Sequence, residues 1–503
     1  MEIGLRALKQ ICDRMGMSQE IDSSPLTAEV LSGLSPEARA VIAALVQYYE
    51  RKLAIAEERI AALEDRLNSL QRKTPKNSSV PPSSQHPHDK PVHAPKEKSP
   101  RKPGGQPGHP QRTRPLIPSE ECNEVILLTP SACRQCGTEL SGNDPEPLRH
   151  QVWELPEIKP LVTEYQQQRL TCACCGVSTC AELPSGVPTG QSGPRLIALA
   201  TLMMAYFRLS KRRTAAFFTM LLNQPCSVGH VVNMQNLGTS ALRPCFHELV
   251  EALPQQAVVN IDETPTKQQT HKAWLWTFVA AGFTVFGLRL SRGAGILHDW
   301  LGLAYEGVVG SDRARMYFYF QWRQWCWAHL KRDFQAISEL KGSAAASRAA
   351  VLGRQLLEVA NEMFHHWHRV RDRTLTRRGF KRHANRLQGR LYLILEEGQR
   401  CGHAPTEATC NELFTHFDTL WTFVDHENVE PTNNAPERSL RHAVIWRKLS
   451  FGTQSVAGSR FVETMLTVVE TCRQQNRNVF AFIADAVQRR LQHQPPPSLL
   501  PGS

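Results

Sequence analysis

The sequence predicts a multidomain protein of the α+β class. Its 503 residues are enough for about three domains, and 41% of them are hydrophobic, which suffices for buried cores and excludes wholesale disorder. Stretches with apolar residues at helical spacing occupy most of the chain. From about residue 257 they give way to short runs rich in β-branched and aromatic residues, which predict strands.

The composition favours an anionic partner. The chain has 59 Lys and Arg against 47 Asp and Glu, a net charge of +12, and nucleic acid is the usual partner of such a protein. No stretch approaches the ~18 apolar residues of a membrane span. We expect a cytoplasmic protein, because no secretory signal is seen and the 14 cysteines are clustered as in metal sites.

The N-terminal region, 1–73, ends in a predicted coiled coil over 37–73. Apolar or aromatic residues recur in alternating steps of four and three from Ile42 to Leu70, which is the spacing of a heptad seam. We expect self-association through this long, narrow seam. Packing of the helix on its own domain is the alternative.

Residues 74–115 predict a disordered basic linker. The segment is rich in Pro, Ser, Gly and Lys, and from Arg72 to Arg114 it contains ten Lys or Arg and two Asp or Glu. We expect this arm to contact the phosphate backbone of nucleic acid. A spacer that merely keeps the protein soluble is the alternative.

Two cysteine pairs in the region 116–190 predict a zinc ribbon. Each pair has the spacing CxxC, and a glycine follows each pair directly. Four thiolates complete a tetrahedral shell, so we expect a structural zinc ion rather than a catalytic one. The predicted ligands are Cys133, Cys136, Cys172 and Cys175.

The region 191–250 predicts helices, and the run Leu196 to Phe207 predicts a buried core helix. A helix from about Thr214 to Leu222 is followed by a break and by a second helix that Ser227 caps and that ends at Leu242. This is helix-turn-helix spacing, and plain packed helices are the alternative. The predicted DNA-binding residues beside it are Lys211, Arg212 and Arg213.

Three acids stand out by position. Asp262 ends the first predicted strand, in VVNIDETP, and Asp312 ends a later one, in GVVGSDRARMY. Glu437 begins a helix in TNNAPERSLRHAV. Three hard oxygen ligands suit Mg²⁺ or Mn²⁺, and two such ions promote phosphoryl transfer. Glu263 is expected on the opposite face of the strand, where it either supports the ligands or faces solvent.

Several motifs accompany these acids and strengthen the prediction that the three acids act together. They are KNSSVPPSSQHP and KPGGQPGHP in the linker, CRQC and CACC, NIDETP, SDRARMY, CWAHLKRDF and NNAPERSLRHAVIWRKLSFGTQSVAGSRFVETMLTVVETCRQQN. With them, the chain resembles transposases of the insertion-sequence 66 family, DDE-type enzymes of bacterial mobile elements. The resemblance extends from the coiled coil to the final helices. One departure is visible, because Arg313 stands where many members carry Gly.

The resemblance implies an RNase H-like catalytic domain formed by 251–335 and 431–458, with a helical insertion at 336–430. C-terminal helices and a disordered tail, 459–503, follow. The family's three metal-binding acids fall on Asp262, Asp312 and Glu437. Cations beside them are expected to neutralise phosphates, with surface salt bridges as the alternative. They are Lys331, Arg332, Arg438 and Arg441.

The implied activity is metal-dependent cleavage of the element's ends, which exposes 3′-hydroxyls that are then joined to target DNA. Implied partners are the terminal inverted repeats, target DNA and small accessory proteins of the same element, at the bacterial nucleoid. A non-catalytic DNA-binding repressor or a domesticated copy is the first alternative. A nuclease or resolvase-like enzyme on the same fold is the second.

Overall fold

The structure, a computed structural model, describes residues 33–71 and 114–502. The described residues form two units. The first takes 33–71, 167–214 and 228–502, and the second takes 114–166 and 215–227. The predicted basic linker, 74–115, lies outside the described residues except for its last two positions. Among the described helices, none is both long and apolar enough to cross a membrane.

Helix α1, Pro36–Gln71, is a single continuous helix of 36 residues that contains the predicted heptad seam. The seam side chains are exposed along its described length except at Ile42, which is half-buried. Val46 and Leu53 are each 39% exposed, and Tyr49 and Ile60 are more so. No other described part of the chain therefore covers this apolar stripe.

The second unit is mostly extended. Its regular elements are a short 3₁₀ helix, Ser119–Glu121, and the part of α3, Lys211–Leu221, that follows residue 214. The Gln151 side chain donates to the Ile117 carbonyl (2.9 Å) and accepts from its backbone N–H (3.0 Å). These two hydrogen bonds join positions that are 34 residues apart in the sequence.

Helix α3 begins earlier than predicted. The three cations expected to precede it, at 211–213, form its first turn and are exposed. Helix α4, Val228–Ala252, also runs ten residues beyond the predicted end at Leu242. Pro244 lies inside this helix, and burial of Phe246 and Leu249 carries the helix through the proline.

A five-stranded mixed sheet forms the centre of the first unit. Its strand order is β5-β4-β3-β6-β7. Strands β3, β4 and β5 are antiparallel neighbours, whereas β6 and β7 run parallel to β3. A separate two-stranded hairpin precedes this sheet. The strands are β1 Arg169–Thr171, β2 Ser178–Cys180, β3 Val258–Gln268, β4 His271–Ala280, β5 Phe283–Arg289, β6 Val308–Ser311 and β7 Arg323–Trp325.

Strand β3 is longer than the sequence predicted. Asp262 was expected to end it, but the strand continues six residues further and pairs with β4 as far as Gln268 and His271. Pairing with β6 stops at Asn260. Asp262 therefore lies two residues beyond the point where the parallel ladder ends, and the hairpin with β4 keeps its backbone extended.

Helix α12, Val456–Gln474, covers the free edge of β5. Three side chains at four-residue intervals, Glu463, Thr467 and Thr471, accept the backbone N–H groups of every second residue of β5, at 288, 286 and 284. The helical step of about 6 Å nearly matches two strand residues. These bonds satisfy an edge that would otherwise be open to pairing with another chain.

Some of the remaining helices of this unit pack on the sheet, and others form a helical group with its own core. Helix α5 connects β5 to β6, and helices α6 to α10 pack around a core that includes Trp325, Trp327 and Trp367. Helix α11 packs on β3 and β4. The bounds are α2 Pro194–Ala205, α5 Gly295–Leu301, α6 Trp327–Ser338, α7 Ala344–Arg371, α8 Arg377–Gly398, α9 Ala404–Thr415, α10 Thr422–Asp425, α11 Asn434–Ser450 and α13 Val479–Leu491. As predicted, α2 is a buried core helix.

The C-terminal tail is ordered through residue 502, contrary to the predicted disorder. Leu499 is fully buried, and its backbone N–H donates to Glu248 of α4 (2.9 Å). The Gln475 side chain donates to the Leu499 carbonyl (2.7 Å). The three prolines before it restrict the unfolded chain, so one buried leucine and a few hydrogen bonds are enough to fix the segment.

Candidate active site

Asp262 is half-buried on β3, and its carboxyl is surrounded by other acids. Burial raises its pKa well above the ordinary value, and the charges of Glu263, Asp312 and Glu437 raise the pKa further. The backbone N–H of Glu263 donates to Asp262 Oδ1 (2.9 Å), which partly offsets these effects. The structure thus brings the three predicted acids into one cluster.

Asp312 directly follows β6, as predicted. Because β6 runs parallel to β3, its end delivers Asp312 to the edge of the sheet that carries Asp262. The backbone N–H of Ala314 donates to Asp312 Oδ1 (2.9 Å) and fixes the carboxylate. Gly310 leaves room for the Asn260 side chain of β3, because a Cβ at position 310 would lie 2.1 Å from Asn260 Oδ1.

Glu437 lies in the first turn of α11, as predicted, and Asn433 positions that turn. The Asn433 side chain is 2% exposed, and its Nδ2 donates to the carbonyl of Ile261, one residue before Asp262 (2.7 Å). Its backbone N–H donates to Cys326 Sγ (3.1 Å). One residue therefore holds the starts of α6 and α11 against the part of β3 that carries Asp262.

Two residues of α6 face Glu437. His329 Nδ1 lies 3.8 Å from Glu437 Oε1, and Arg332 Nη2 lies 3.9 Å from Oε2. Burial is the largest influence on His329 and lowers its pKa, so its imidazole is neutral at neutral pH. Of these two residues, Arg332 is therefore the one that places a positive charge beside Glu437.

The cluster fits a metal ion. Three buried atoms in it have no hydrogen-bond partner among the described residues: Asn433 Oδ1, Glu437 Oε1 and His329 Nδ1. The ligand atoms of Cys326, His329 and Glu437 lie within 4.8 Å of one another and could hold an ion. Burial raises the pKa of the Cys326 thiol to about 11, so this thiol is protonated at neutral pH and is a poor ligand for a hard ion.

Glu263 does not face solvent. Its side chain is 2% exposed and accepts hydrogen bonds from the Tyr317 hydroxyl (2.6 Å) and from Arg292 Nε (2.8 Å). Burial raises the pKa of Glu263. Of the two positions expected for Glu263, solvent exposure is wrong. A position that supports the neighbouring acids agrees with these hydrogen bonds. Sequence reasoning did not single out Tyr317 or Arg292, although Tyr317 closes the motif SDRARMY.

Arg313, the departure from the family pattern, has a defined structural role. Its guanidinium bridges Asp333 of α6 (2.7 Å) and Glu412 of α9 (2.9 Å). The residue after Asp312 therefore ties the end of β6 to the helical insertion. A glycine at this position could not make either bond.

The predicted DNA-binding residues lie in different surroundings. Only Arg332 directly contacts an acid of the cluster, while Lys331 lies over the Phe364 ring of the insertion (5.8 Å from Nζ to the ring centre). Arg438 and Arg441 are exposed on α11, beside Glu437 in the sequence. The cations at 211–213 are exposed on α3.

Each CxxC pair forms a tight turn of the expected kind. In the second unit, Gly137 has a φ of +75° and its N–H donates to the Cys133 carbonyl (3.0 Å). A hydrogen bond with the Thr138 hydroxyl is the largest influence that lowers the pKa of Cys136, to about 7. Such a turn favours thiolates at neutral pH, as metal binding requires.

In the first unit, the second pair caps the β1–β2 hairpin. Gly176 has a φ of +72°, and its N–H donates to the Cys172 carbonyl (2.9 Å). Backbone hydrogen bonds from Cys175 and Cys174 lower the pKa of Cys172. The two pairs thus share one local geometry although they belong to different units.

Comparison with known proteins identifies the family. The sequence model described as Transposase IS66 family matches residues 189–460, which include all three acids and the helical insertion. The chain belongs to the IS66 family of transposases. A second model, described only as a family of unknown function (DUF6444), matches residues 25–115.

Two curated relatives come from Sinorhizobium fredii. The IS66-family chain is 22% identical to uncharacterized protein y4hP over 416 residues, covering 74% of this chain and 73% of that protein. It is also 22% identical to uncharacterized protein y4qI over 276 residues, covering 49% of this chain. The match spans about half the length of y4qI.

The buried carboxylate of Asp262 should destabilise the ion-free protein at neutral pH. A carboxyl whose pKa is raised by folding favours the folded state while it is protonated, and this contribution is lost as pH rises through the raised pKa. In Mg²⁺-free buffer at about pH 7.5, Asp262→Asn should therefore raise the melting temperature by a few degrees. The gain should shrink as pH falls through the raised pKa of folded Asp262, and it should be gone near about 4, where the unfolded chain also becomes protonated.

Asp299→Asn is the matched control, because Asp299 is exposed on α5 and makes no ion pair within the described residues. Its melting temperature should follow that of the wild type at every pH. A melting temperature of Asp262→Asn below the wild-type value at neutral pH would show that the acid cluster carries no electrostatic strain.

Proposed function

We propose that this chain is a DDE-type transposase that binds the ends of its element, cleaves them to expose 3′-hydroxyls and joins these to target DNA. The observation that carries the proposal is the convergence of Asp262, Asp312 and Glu437 on one edge of the sheet, where the charges of the other two acids raise the pKa of Asp262. Three clustered carboxylates with one buried, unpartnered oxygen are suited to bind divalent ions.

The strand order supports an RNase H-like catalytic domain. Three antiparallel strands, β5, β4 and β3, are followed by two strands parallel to β3, and α11 delivers the third acid against this sheet. The segment between the second and third acids contains the helices α6 to α10, as the helical insertion requires. We propose 251–335 and 431–458 as the catalytic domain and 336–430 as the insertion.

The proposed reaction needs no covalent enzyme intermediate. In cleavage, a water oxygen attacks phosphorus and the bond to the 3′-oxygen breaks; in joining, that 3′-hydroxyl attacks a target phosphate and displaces its 3′-oxygen. Divalent ions, Mg²⁺ or Mn²⁺, would stabilise the attacking and leaving oxygens when bound. Asp262, Asp312 and Glu437 would hold them, and Glu263 with Tyr317 and Arg292 supports the buried side of the cluster.

Cations around the acids are proposed to receive the phosphates. Arg332 is already within 3.9 Å of Glu437, and Arg438 and Arg441 are exposed on the helix that carries Glu437. His329 is neutral, so it can accept or donate a hydrogen bond without adding charge. Lys331 and the cations at 211–213 are further proposed DNA contacts.

We propose that Cys133, Cys136, Cys172 and Cys175 bind one structural zinc ion. The support is local, because each pair forms the turn that presents two thiolates and the pKa of one thiol in each pair is lowered. Four thiolates leave no open position, so this ion would take no part in phosphoryl transfer.

A non-catalytic DNA-binding repressor or a domesticated copy is the second candidate. The exposed cations on α3 and the cysteine turns would serve it equally well. The intact acid cluster favours the catalytic function, because a protein that only binds DNA does not need an aspartate, Asp262, whose pKa is raised by burial and by the charges of Glu263, Asp312 and Glu437. Divalent-ion-dependent cleavage separates the two, and joining separates a transposase from a nuclease.

Strand cleavage is tested on DNA duplexes that carry the inverted repeats flanking the gene, with and without Mg²⁺. Asp262→Asn, Asp312→Asn and Glu437→Gln should each lower the cleavage rate by about a thousandfold, because ion-stabilised charge in the transition state is worth several kcal/mol. Binding of the same duplex should be preserved. Strand cleavage and joining are measured on denaturing gels.

Asp299→Asn again serves as the control and should cleave at the wild-type rate. Robust cleavage by any of the three variants would remove that residue from the active site. Wild-type binding without Mg²⁺-dependent cleavage, even after the element's accessory proteins are added, would favour the repressor.

We also propose that two or more chains associate through the seam of α1. The seam is apolar and, apart from the half-buried Ile42, exposed along its described length. A charge placed in the seam should disrupt association, whereas a charge on the outer face should not. The double variant Val46→Glu with Leu53→Glu should therefore shift the molar mass measured by light scattering toward that of one chain.

The matched control is Val41→Glu with Ile55→Glu. These two residues are about 60% exposed and lie outside the seam. The control should keep the wild-type molar mass. An equal shift in both variants, or in neither, would contradict pairing through the seam.

A further inference from the structure

The helical insertion carries a strongly basic surface that the proposed chemistry leaves unused. Between residues 365 and 390, the chain has nine Lys or Arg and one Asp. These residues form the end of α7, the connecting turn and the first half of α8, and we call them the basic hairpin. We propose that the basic hairpin docks the phosphate backbone of duplex DNA beside the active site; this inference rests on the proposed function.

Most of these charges face solvent and lack a partner of opposite charge. Lys381 pairs with Asp425 and Arg390 pairs with Glu362. Five exposed arginines make no ion pair within the part of the chain that the structure describes: Arg371, Arg373, Arg378, Arg382 and Arg386. A face that only keeps a protein soluble usually mixes both signs of charge. The excess of one sign therefore points to a polyanion.

The spacing of the cations suits a phosphate backbone. Arg378, Arg382 and Arg386 follow one another at intervals of four residues, so they share one face of α8 in steps of about 6 Å. Phosphates on one DNA strand are about 3.4 Å apart along the helix axis, so this row can meet every second phosphate. Arg386 also contacts His383 through its guanidinium (2.7 Å), which orders part of the row.

The hairpin is anchored to the segment that leads to the third acid. Trp367 Nε1 donates to Glu430 Oε2 (3.1 Å), and Arg377 donates to the carbonyls of Phe423 (2.7 Å) and His426 (3.0 Å). This segment continues directly to Asn433 and Glu437. The base of the hairpin and the start of α11 therefore form one packed arrangement.

The hairpin also lies at the end of the insertion that faces the acids. Lys331, one turn into α6, reaches over the Phe364 ring, and the neighbouring His329 and Arg332 contact Glu437. From Phe364 to the end of α7 at Arg371 the helix rises about 10 Å. Duplex that enters the active site would thus meet the basic hairpin a few base pairs from the reacting phosphate.

The test compares two triple variants of the full chain. Arg371→Ala with Arg378→Ala and Arg382→Ala removes three unpaired charges of the hairpin. Lys341→Ala with Arg354→Ala and Arg400→Ala removes three exposed charges at the other end of the same helices. Binding of a fluorescent duplex with the flanking inverted repeat, and of a scrambled duplex of equal length, is measured from about 0.05 to 0.3 M NaCl.

The hairpin variant should lower the slope of log K against log salt by about three on both duplexes. At about 0.1 M salt its affinity should fall about tenfold or more. The control variant should match the wild type in slope and affinity. Melting temperatures should be preserved in both, because all six side chains are exposed and alanine favours helices.

Wild-type slope and affinity in the hairpin variant would overturn the proposal and leave an acidic protein as the occupant of this surface. Equal losses in both variants would also overturn it, because the effect would then be one of net charge alone. These outcomes are separate from a failure of the proposed function, which would appear as wild-type DNA binding without Mg²⁺-dependent cleavage.

Discussion

The candidate site depends on the bonds of one buried asparagine. Asn433 donates from its side chain to the Ile261 carbonyl and from its backbone to Cys326 Sγ. These bonds join β3, the start of α6 and the start of α11, which are far apart in the sequence. Asp262 and Glu437 flank the first bond, and His329 and Arg332 follow the second by one turn. Without this junction the acids would belong to separate layers of the fold.

The acid cluster works against folding, and the rest of the first unit compensates. Burial and like charges raise the pKa of Asp262, so its ionised form costs stability until a cation is present. The sheet that bears this strain has its outer edge closed by Glu463, Thr467 and Thr471 of α12. Glu463 is itself neutralised by Arg243 and Arg289. Because the polar groups of the surrounding framework are paired, the fold can tolerate the unfavourable electrostatics of the acid cluster.

Much of the architecture could be predicted from local patterns. The heptad seam, the cysteine turns and the position of Glu437 at a helix start depend on residues close together in the sequence, and each has the expected local structure. The position of Asp262 within β3 was missed, because the hairpin turns at Gln269 without the usual Asn-Gly signal. The ordered tail was missed because its partners, such as Glu248, lie about half the chain away.

The three acids were selected by the family resemblance rather than by physical reasoning. The chain has 47 Asp and Glu residues, so many other sets of three could have been chosen. The residues that make the site distinctive in this chain could not be found that way. Tyr317 and Arg292 meet at Glu263 across separate elements, and Arg313 departs from the family pattern yet binds both Asp333 and Glu412. Such contacts depend on tertiary packing, which no spacing in the sequence encodes.

The most direct test of the central claim is to locate the divalent ion on the polypeptide. Fe²⁺ would replace Mg²⁺, and ascorbate with peroxide would generate radicals that cut the backbone near the bound ion. The account predicts cuts clustered around residues 262, 312 and 437 that excess Mg²⁺ suppresses and that Asp262→Asn abolishes. Cuts confined to one of these segments, or to regions outside them, would contradict a metal site built from all three acids.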